Sequence, residues 1–125
     1  MSRVKLSINV SDFDAAVAFY SRLFGTTPAK LRPGYANFAI DDPPLKLVLN
    51  APGNGEPGTI NHLGVEVDTT EQVDQAGARL AAAGLATDAR PGTVCCYARQ
   101  DKVWVRDPDQ VPWEYYTVLE HVEKP

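Results

Sequence analysis

Two adjacent cysteines, Cys95 and Cys96, are the residues whose types and spacing most directly suggest chemistry. They lie in the strand-like segment 93–99 and are the only cysteines of the 125 residues. A disulfide between sequence neighbours is strained, because disulfide geometry favours Cα atoms that are well apart. Two neighbouring thiolates instead suit a soft metal or metalloid ion that sulfur holds from two sides. The alternative is that both side chains pack as small hydrophobic groups.

Composition argues against several classes of partner. The net charge is −4 and no run of Lys or Arg occurs, which argues against nucleic acid. No apolar stretch approaches the roughly 18 residues that a transmembrane helix needs, so no membrane association is expected. The strand-like pattern begins at Val4 and leaves no room for a signal peptide. Two thiols without further cysteines fit a reducing compartment, and we expect a cytoplasmic location.

Hydrophobic periodicity predicts the elements that position the thiols. Helical spacing predicts one helix that begins with Ser11 as its cap and ends at Gly25. It predicts a second helix that begins near Thr69 and ends at Gly84. Alternation of apolar and polar residues predicts strands at 4–10, 35–40, 45–49, 63–67, 93–99, 102–106 and 113–118.

The second half of the chain repeats the first. The apolar positions of residues 63–67 repeat those of residues 6–10, 57 positions earlier. We therefore expect one domain, 1–125, that consists of two modules at about 1–50 and 59–119, with a turn-rich linker at about 50–58. A module of this size cannot easily bury its sheet alone. The predicted fold class is α+β, with two βαβββ modules whose curved mixed sheets surround a shared cleft.

Four polar residues take matching positions when the two halves are registered. Lys5 corresponds to His62, and Lys46 corresponds to Glu114. If the apolar residues of the first strand face the helix, these four side chains face the cleft. A histidine and a carboxylate that converge there suit a divalent first-row metal. The alternative is that His62 is a surface histidine and that Glu114 pairs with a lysine.

Several sequence motifs make this repeat similar to the vicinal oxygen chelate superfamily, which includes glyoxalase I, extradiol dioxygenases, and bleomycin- and fosfomycin-resistance proteins. The motifs most closely resemble the arsenic- and cadmium-inducible branch, which contains carbon–arsenic lyases and cadmium-induced proteins. They are RPGYANFAI at 32–40, PLKLVL at 44–49, NHLGVEV at 61–67, the cysteine pair at 95–96 and QDKVWV at 100–105. The resemblance extends from the first residue to position 119.

The resemblance implies an Fe(II)-dependent dioxygenase, or one with another divalent metal, that uses O2 to cleave the carbon–arsenic bond of trivalent organoarsenicals. The metal-ligand positions of the family map onto Lys5, His62 and Glu114, and no catalytic residue is expected beyond the metal centre. Cys95 and Cys96 would hold the arsenic. The partners are therefore a small organoarsenical or a soft metal ion and O2, and superfamily members often form homodimers. Candidate cleft-lining residues, each equally plausible in the core, are Tyr35, Asn37, Phe38, Trp104 and Tyr115.

Lys5 departs from the family pattern, which has glutamine or histidine at this position. A protonated lysine has no lone pair for a metal, unless burial beside a dication removes its proton. Either His62 and Glu114 hold the metal with water, or Lys5 pairs with Glu114 and replaces the metal. The second case gives a non-catalytic, thiol-based binder of As(III), Sb(III) or Cd(II). A glyoxalase- or fosfomycin-resistance-type enzyme is a further alternative that leaves the cysteine pair unexplained.

Overall fold

The order of elements in the computed structural model, which describes residues 2–125, is strand, helix and three strands, twice. This order confirms the predicted α+β class and the βαβββ repeat. The elements are β1 (Arg3–Asn9), α1 (Phe13–Phe24), β2 (Lys30–Arg32), β3 (Tyr35–Ile40), β4 (Leu45–Asn50), β5 (Ile60–Glu66), α2 (Thr70–Ala82), β6 (Asp88–Cys95), β7 (Ala98–Arg106) and β8 (Pro112–His121). No helix within residues 2–125 is long and apolar enough to cross a membrane.

Residues form two compact units, Arg3–Leu63 and Gly64–Pro125 with Ser2, and β5 spans their boundary. In the first unit the strands have the order β2-β3-β4-β1. Strand β1 runs parallel to β4, and β3 runs antiparallel to β4. The core of this unit lies under α1 and consists of Ala36, Phe38, Ile40, Leu47 and Leu49, with partly buried residues of β1 and α1 packed against them.

Local capping residues determine where α1 begins and ends. The N-cap is Asp12, whose side chain accepts a hydrogen bond from the Ala15 N–H, so the prediction of Ser11 as the cap is wrong by one residue. Aspartate is as good a cap as serine, and here the Asp12 carboxylate accepts from a first-turn amide. Gly25 ends the helix with φ of 63°, a left-handed conformation that glycine adopts without strain, as predicted.

In the unit Gly64–Pro125 the strands have the order β5-β8-β7-β6. Helix α2 begins with a capping box in which Thr69 and Gln72 bond each other's backbone N–H, which confirms the predicted start. Its buried residues include Val73, which packs with Val67 and Val103 in the core of this unit. The α2 face of the strands is therefore apolar, and the other face carries the polar residues described below.

The predicted strand 93–99 is wrong at its centre. Strand β6 ends at Cys95, β7 begins at Ala98, and residues 96 and 97 form the connection between them. Sequence reasoning did not detect this turn because neither residue is a glycine, asparagine or aspartate, the types that usually mark such a turn. The short strand β2 was also not predicted.

Candidate functional site

The two cysteines lie at the tip of the β6–β7 hairpin. Cys95 pairs with Ala98 across the hairpin, and Cys96 and Tyr97 connect the strands with φ of 59° and 62°. Two positive φ values match the twist of the flanking strands, but asparagine and glycine normally occupy such positions. A residue other than glycine that is held at positive φ costs on the order of 1–3 kcal/mol of conformational free energy. The surrounding structure therefore maintains this turn against its local preference.

This turn brings the two sulfur atoms together. The Sγ atoms of Cys96 and Cys95 lie 3.0 Å apart, and no disulfide joins them. Both residues are partly exposed. Two thiols at this separation can bind the same soft ion, because each supplies one sulfur ligand.

The segment that follows β8 holds the cysteine turn. The Tyr97 N–H donates to the carbonyl of Lys124, and the Val122 N–H donates to the carbonyl of Tyr97, each over 3.0 Å. These two bonds satisfy the backbone of one of the two residues with positive φ. The strained turn is thus fixed from both sides, by β6–β7 pairing and by the chain after β8.

Lys102 connects Cys95 to Glu114. Its Nζ lies 2.8 Å from Oε1 of Glu114 and 3.5 Å from Sγ of Cys95. Lys102 is 3% exposed and Glu114 is 0% exposed, so water screens this ion pair very little. The rings of Trp104 and Tyr116 lie 5.2 and 5.8 Å from the same nitrogen, within cation–π range. An ammonium group beside a thiol favours the thiolate, the form that binds soft ions.

Gly64 and Gln100 complete the surroundings of this cluster. A Cβ atom at Gly64 would lie 2.8 Å from Cγ of Glu114, so glycine makes room for the buried carboxylate. Gln100 is buried, and its Nε2 donates to the carbonyl of Cys95 over 3.1 Å. Its Oε1 accepts no hydrogen bond from residues 2–125. A buried acceptor beside the thiols can receive an O–H or N–H group of a bound molecule.

Lys5 and Lys46 are register partners in the unit Arg3–Leu63. They occupy matching positions of β1 and β4 and are both buried. Both lie on the face opposite α1, because the residues that alternate with them pack under that helix. In the protonated form neither side chain offers a lone pair to a metal.

The three predicted substrate contacts of β3 lie on two different faces. Asn37 donates from Nδ2 to the hydroxyl of Tyr35 over 3.4 Å, and both residues lie on the face opposite α1. Phe38 is fully buried in the core under α1. Alternation along the strand separates Phe38 from the other two, and Phe38 takes the core position, which is the alternative predicted from the sequence.

The two aromatic candidates of the second unit also separate. Trp104 lies beside the ammonium group of Lys102 and is the register partner of Glu114. Tyr115 packs against the core cluster that includes Val103, and its ring lies 5.7 Å from the guanidinium carbon of Arg79 in α2. Of these two residues, Trp104 therefore shares a face with Cys95, Lys102 and Glu114. These three residues are called the cysteine–lysine–glutamate cluster.

His62 lies in β5 and is held by its neighbour Asn61. The Nδ1 atom of His62 lies 2.8 Å from Oδ1 of Asn61. Asn61 in turn donates from Nδ2 to Oδ1 of Asn9, a residue that is 1% exposed. The imidazole is thus oriented through a second residue that is itself anchored in the interior.

The residues that the resemblance assigns to a metal supply an incomplete ligand set. No group of three or more His, Cys, Asp or Glu side chains that could hold a metal ion occurs among residues 2–125. His62 and Glu114 carry groups that bind divalent metals. However, Lys102 pairs with the Glu114 carboxylate, and Lys5 brings an ammonium group. As it stands, this set does not fit a metal held by three protein ligands.

Sequence reasoning missed Lys102, Gln100 and Asn9. Alternation along β7 was a usable signal for two of them, because residues 100, 102 and 104 share one face of the strand. No local pattern marks Asn9, since its partners Asn54, Thr59 and Asn61 lie in and just after the predicted linker at about 50–58.

Comparison with known proteins identifies close relatives. The family sequence model of the glyoxalase/bleomycin resistance protein/dioxygenase superfamily matches residues 3–115. The chain is 61% identical over 120 residues to the cadmium-induced protein CadI of Mycobacterium tuberculosis strain H37Rv, covering 95% of this chain and 78% of that protein. It is 59% identical over 119 residues to a trivalent organoarsenical cleaving enzyme of Thermomonospora curvata, covering 94% of this chain and 78% of that protein.

A solved structure supports the fold assignment. The Mn(II)-bound glyoxalase of Novosphingobium aromaticivorans superposes with a TM-score of 0.65 at 22% identity, covering 100% of this chain and 42% of that chain. Similarity at this level of identity shows the fold alone, and it agrees with the predicted vicinal oxygen chelate fold. Together with the two relatives, it confirms the predicted resemblance. The chain belongs to the glyoxalase/bleomycin resistance protein/dioxygenase superfamily.

Proposed function

We propose that this protein cleaves the carbon–arsenic bond of trivalent organoarsenicals and that Cys95 and Cys96 capture the arsenic. The observation that supports this most directly is the pair of sulfur atoms 3.0 Å apart on a strained turn. The name of the Thermomonospora curvata relative, a trivalent organoarsenical cleaving enzyme, supports the same substrate class.

Capture exchanges oxygen for sulfur on the arsenic atom. In methylarsenite, arsenic carries one methyl group and two hydroxyl groups. Each thiol loses its proton and forms an As–S bond, and each hydroxyl group leaves as water, so that no atom changes its oxidation state. Lys102, 3.5 Å from Sγ of Cys95, favours the thiolate that attacks. Before capture, Gln100 offers its Oε1 as an acceptor to a hydroxyl group of the incoming methylarsenite.

Fe(II), or another divalent metal, is the proposed cofactor, and O2 is the proposed co-substrate. His62 and Glu114 are the proposed protein ligands of the metal. Lys5 occupies the third metal-ligand position of the family but, when protonated, has no lone pair for a metal. Tyr35, Asn37 and Trp104 remain proposed contacts of the substrate. The proposed setting is the cytoplasm, where reducing conditions keep both thiols reduced, and the proposed assembly is a homodimer.

A second candidate function is sequestration of As(III), Sb(III) or Cd(II) without catalysis. The observation that favours it is the buried ion pair of Lys102 and Glu114, over 2.8 Å, together with Lys5 at a ligand position. A carboxylate neutralised by lysine has less charge to offer a metal. The name of the mycobacterial relative, a cadmium-induced protein, fits this candidate.

Release of arsenite from methylarsenite under air, by protein loaded with Fe(II), tests the two candidates against each other. We expect release, and we expect Lys5→Gln to raise iron affinity and rate by about 10-fold or more, the size of effects around metal sites. Lys46→Gln is the matched control, because it removes the same charge from the register partner of Lys5. Absence of arsenite with iron replete would contradict cleavage and leave sequestration.

A further inference from the structure

Asn9, at the end of β1, is enclosed by the turn segment 50–58 and the residues after it. Its N–H donates to the carbonyl of Thr59 over 2.9 Å, and its carbonyl accepts from the Gly58 N–H over 2.7 Å. A Cβ atom at Gly53 would overlap Oδ1 of Asn9, so only glycine lets the backbone approach the amide this closely. The Asn9 side chain is therefore held in one place from several directions.

A backbone donor fixes the orientation of the Asn9 amide. The Asn54 N–H can only donate, and it lies 3.1 Å from Oδ1 of Asn9, which identifies that atom as the oxygen. The amide nitrogen then points to Oγ1 of Thr59, over 3.1 Å. Thr59 gives its own proton to the carbonyl of Glu56 and can accept this bond. The donors and acceptors around Asn9 therefore match in only one way.

The same reasoning extends to Asn61 and then to His62. Since Oδ1 of Asn9 can only accept, the Asn61 atom 3.1 Å from it is the nitrogen Nδ2. The Asn61 oxygen is then the atom that lies 2.8 Å from Nδ1 of His62. An amide oxygen also only accepts, so the proton between these two atoms belongs to Nδ1.

We infer that Asn9 and Asn61 are positioning residues that fix neutral His62 in the Nδ1–H tautomer, with its lone pair on Nε2. Neutral imidazole in water favours the opposite tautomer, so the network reverses an intrinsic preference. A lone pair on Nε2 is what a divalent metal, or an O–H or N–H donor of a substrate, requires of this ring. The hydrogen bonds that assign the tautomer all lie within Arg3–Leu63, and the assignment is independent of the organoarsenical proposal.

Nuclear magnetic resonance of protein labelled with ¹⁵N-histidine measures the tautomer without any metal. The chain has two histidines, His62 and His121, so a His121→Gln variant assigns both sets of ring signals. Long-range ¹H–¹⁵N correlations at about pH 9, where imidazole is neutral, should show Nδ1–H as the major form of His62. In Asn61→Ala, which lacks the acceptor, Nε2–H should become the major form. Asn61→Asp loses the donor to Asn9 but keeps an acceptor oxygen for Nδ1, and should retain Nδ1–H.

His121 in the same samples is the internal control, and its tautomer should not change in either variant. A wild-type His62 that is mainly Nε2–H would overturn the inference, and so would an unchanged tautomer in folded Asn61→Ala. The latter result would leave Asn61 with a structural role only. If Asn61→Ala does not fold, the wild-type spectrum decides alone, because the hydrogen-bond network permits only one tautomer.

Discussion

Asn9 in Arg3–Leu63 and Lys102 in Gly64–Pro125 are both almost fully buried polar residues, but different interactions compensate their burial. Asn9 is neutral and lies among matched donors and acceptors of the segment 54–61. Lys102 is charged, and its environment combines a carboxylate, a thiol and two aromatic rings. The first environment specifies one hydrogen-bonding pattern, whereas the second brings opposite charges together away from water.

This difference separates two ways of preparing a side chain for chemistry. A neutral network fixes geometry, because each hydrogen bond leaves the next residue only one orientation. A buried charge acts at longer range, and its effect depends on the balance between attraction and lost hydration. The Asn9 network therefore suits the orientation of His62, and Lys102 suits the electrostatics of Cys95. Substitutions that disturb either the Asn9 network or the Lys102 charge, one at a time, distinguish the two roles.

The largest expected effect comes from removal of the buried ammonium group. Lys102→Met keeps the length of the side chain but leaves the Glu114 carboxylate buried without this ion pair. We expect a loss of about 3–5 kcal/mol in the free energy of unfolding, measured by urea denaturation at pH 7. The double variant Lys102→Met, Glu114→Gln should recover most of this loss. An unchanged urea midpoint in the single variant would show that the ion pair contributes little.

Arg90→Met is the matched control on the same hairpin. Arg90 and Asp88 also form an ion pair over 2.9 Å, but their side chains are 61% and 56% exposed. Hydrogen bonding to Arg90 holds the pKa of the Asp88 carboxyl below its ordinary value. Stabilisation by this pair is therefore present above the ordinary pKa of aspartate and is lost as the pH falls through the lowered value. We expect the urea midpoint at pH 7 to fall far less than in Lys102→Met, because the pair is exposed, and we expect a higher Asp88 pKa by NMR titration.

A smaller effect is expected from crowding of the Asn9 network. Gly53→Ala places a methyl group where Oδ1, Cγ and Cβ of Asn9 already lie. We expect a loss of about 1–3 kcal/mol in the free energy of unfolding, typical of overpacking. Gly77→Ala in α2 is the control, since its new methyl group would meet Val103 at an ordinary distance of 3.7 Å. That change should raise stability by about 0.5–1 kcal/mol, because alanine favours helix. Equal urea midpoints of the two variants would contradict close packing around Asn9.

The order of elements and much of the helix capping could be predicted from the sequence because they depend on local patterns. Alternation marked β1, β3, β4, β5, β7 and β8, and Thr69 with Gln72 marked the start of α2. The cysteine turn could not be predicted, because Cys96 and Tyr97 carry no turn signal and are held by residues after β8. Alternation along β7 marks the face on which Lys102 lies, but the contacts of Lys102 with Cys95 and Glu114, like those of Asn9, depend on tertiary packing.

Joint capture of one arsenic atom by Cys95 and Cys96 is the central claim. Titration of the reduced protein with methylarsenite without oxygen tests it, with native mass spectrometry counting bound arsenic and a thiol reagent counting reactive sulfur. We predict one arsenic per chain, loss of both reactive thiols, and no binding by the double variant Cys95→Ser, Cys96→Ser. Stoichiometric binding by that variant, or bound arsenic with both thiols still reactive, would contradict the claim.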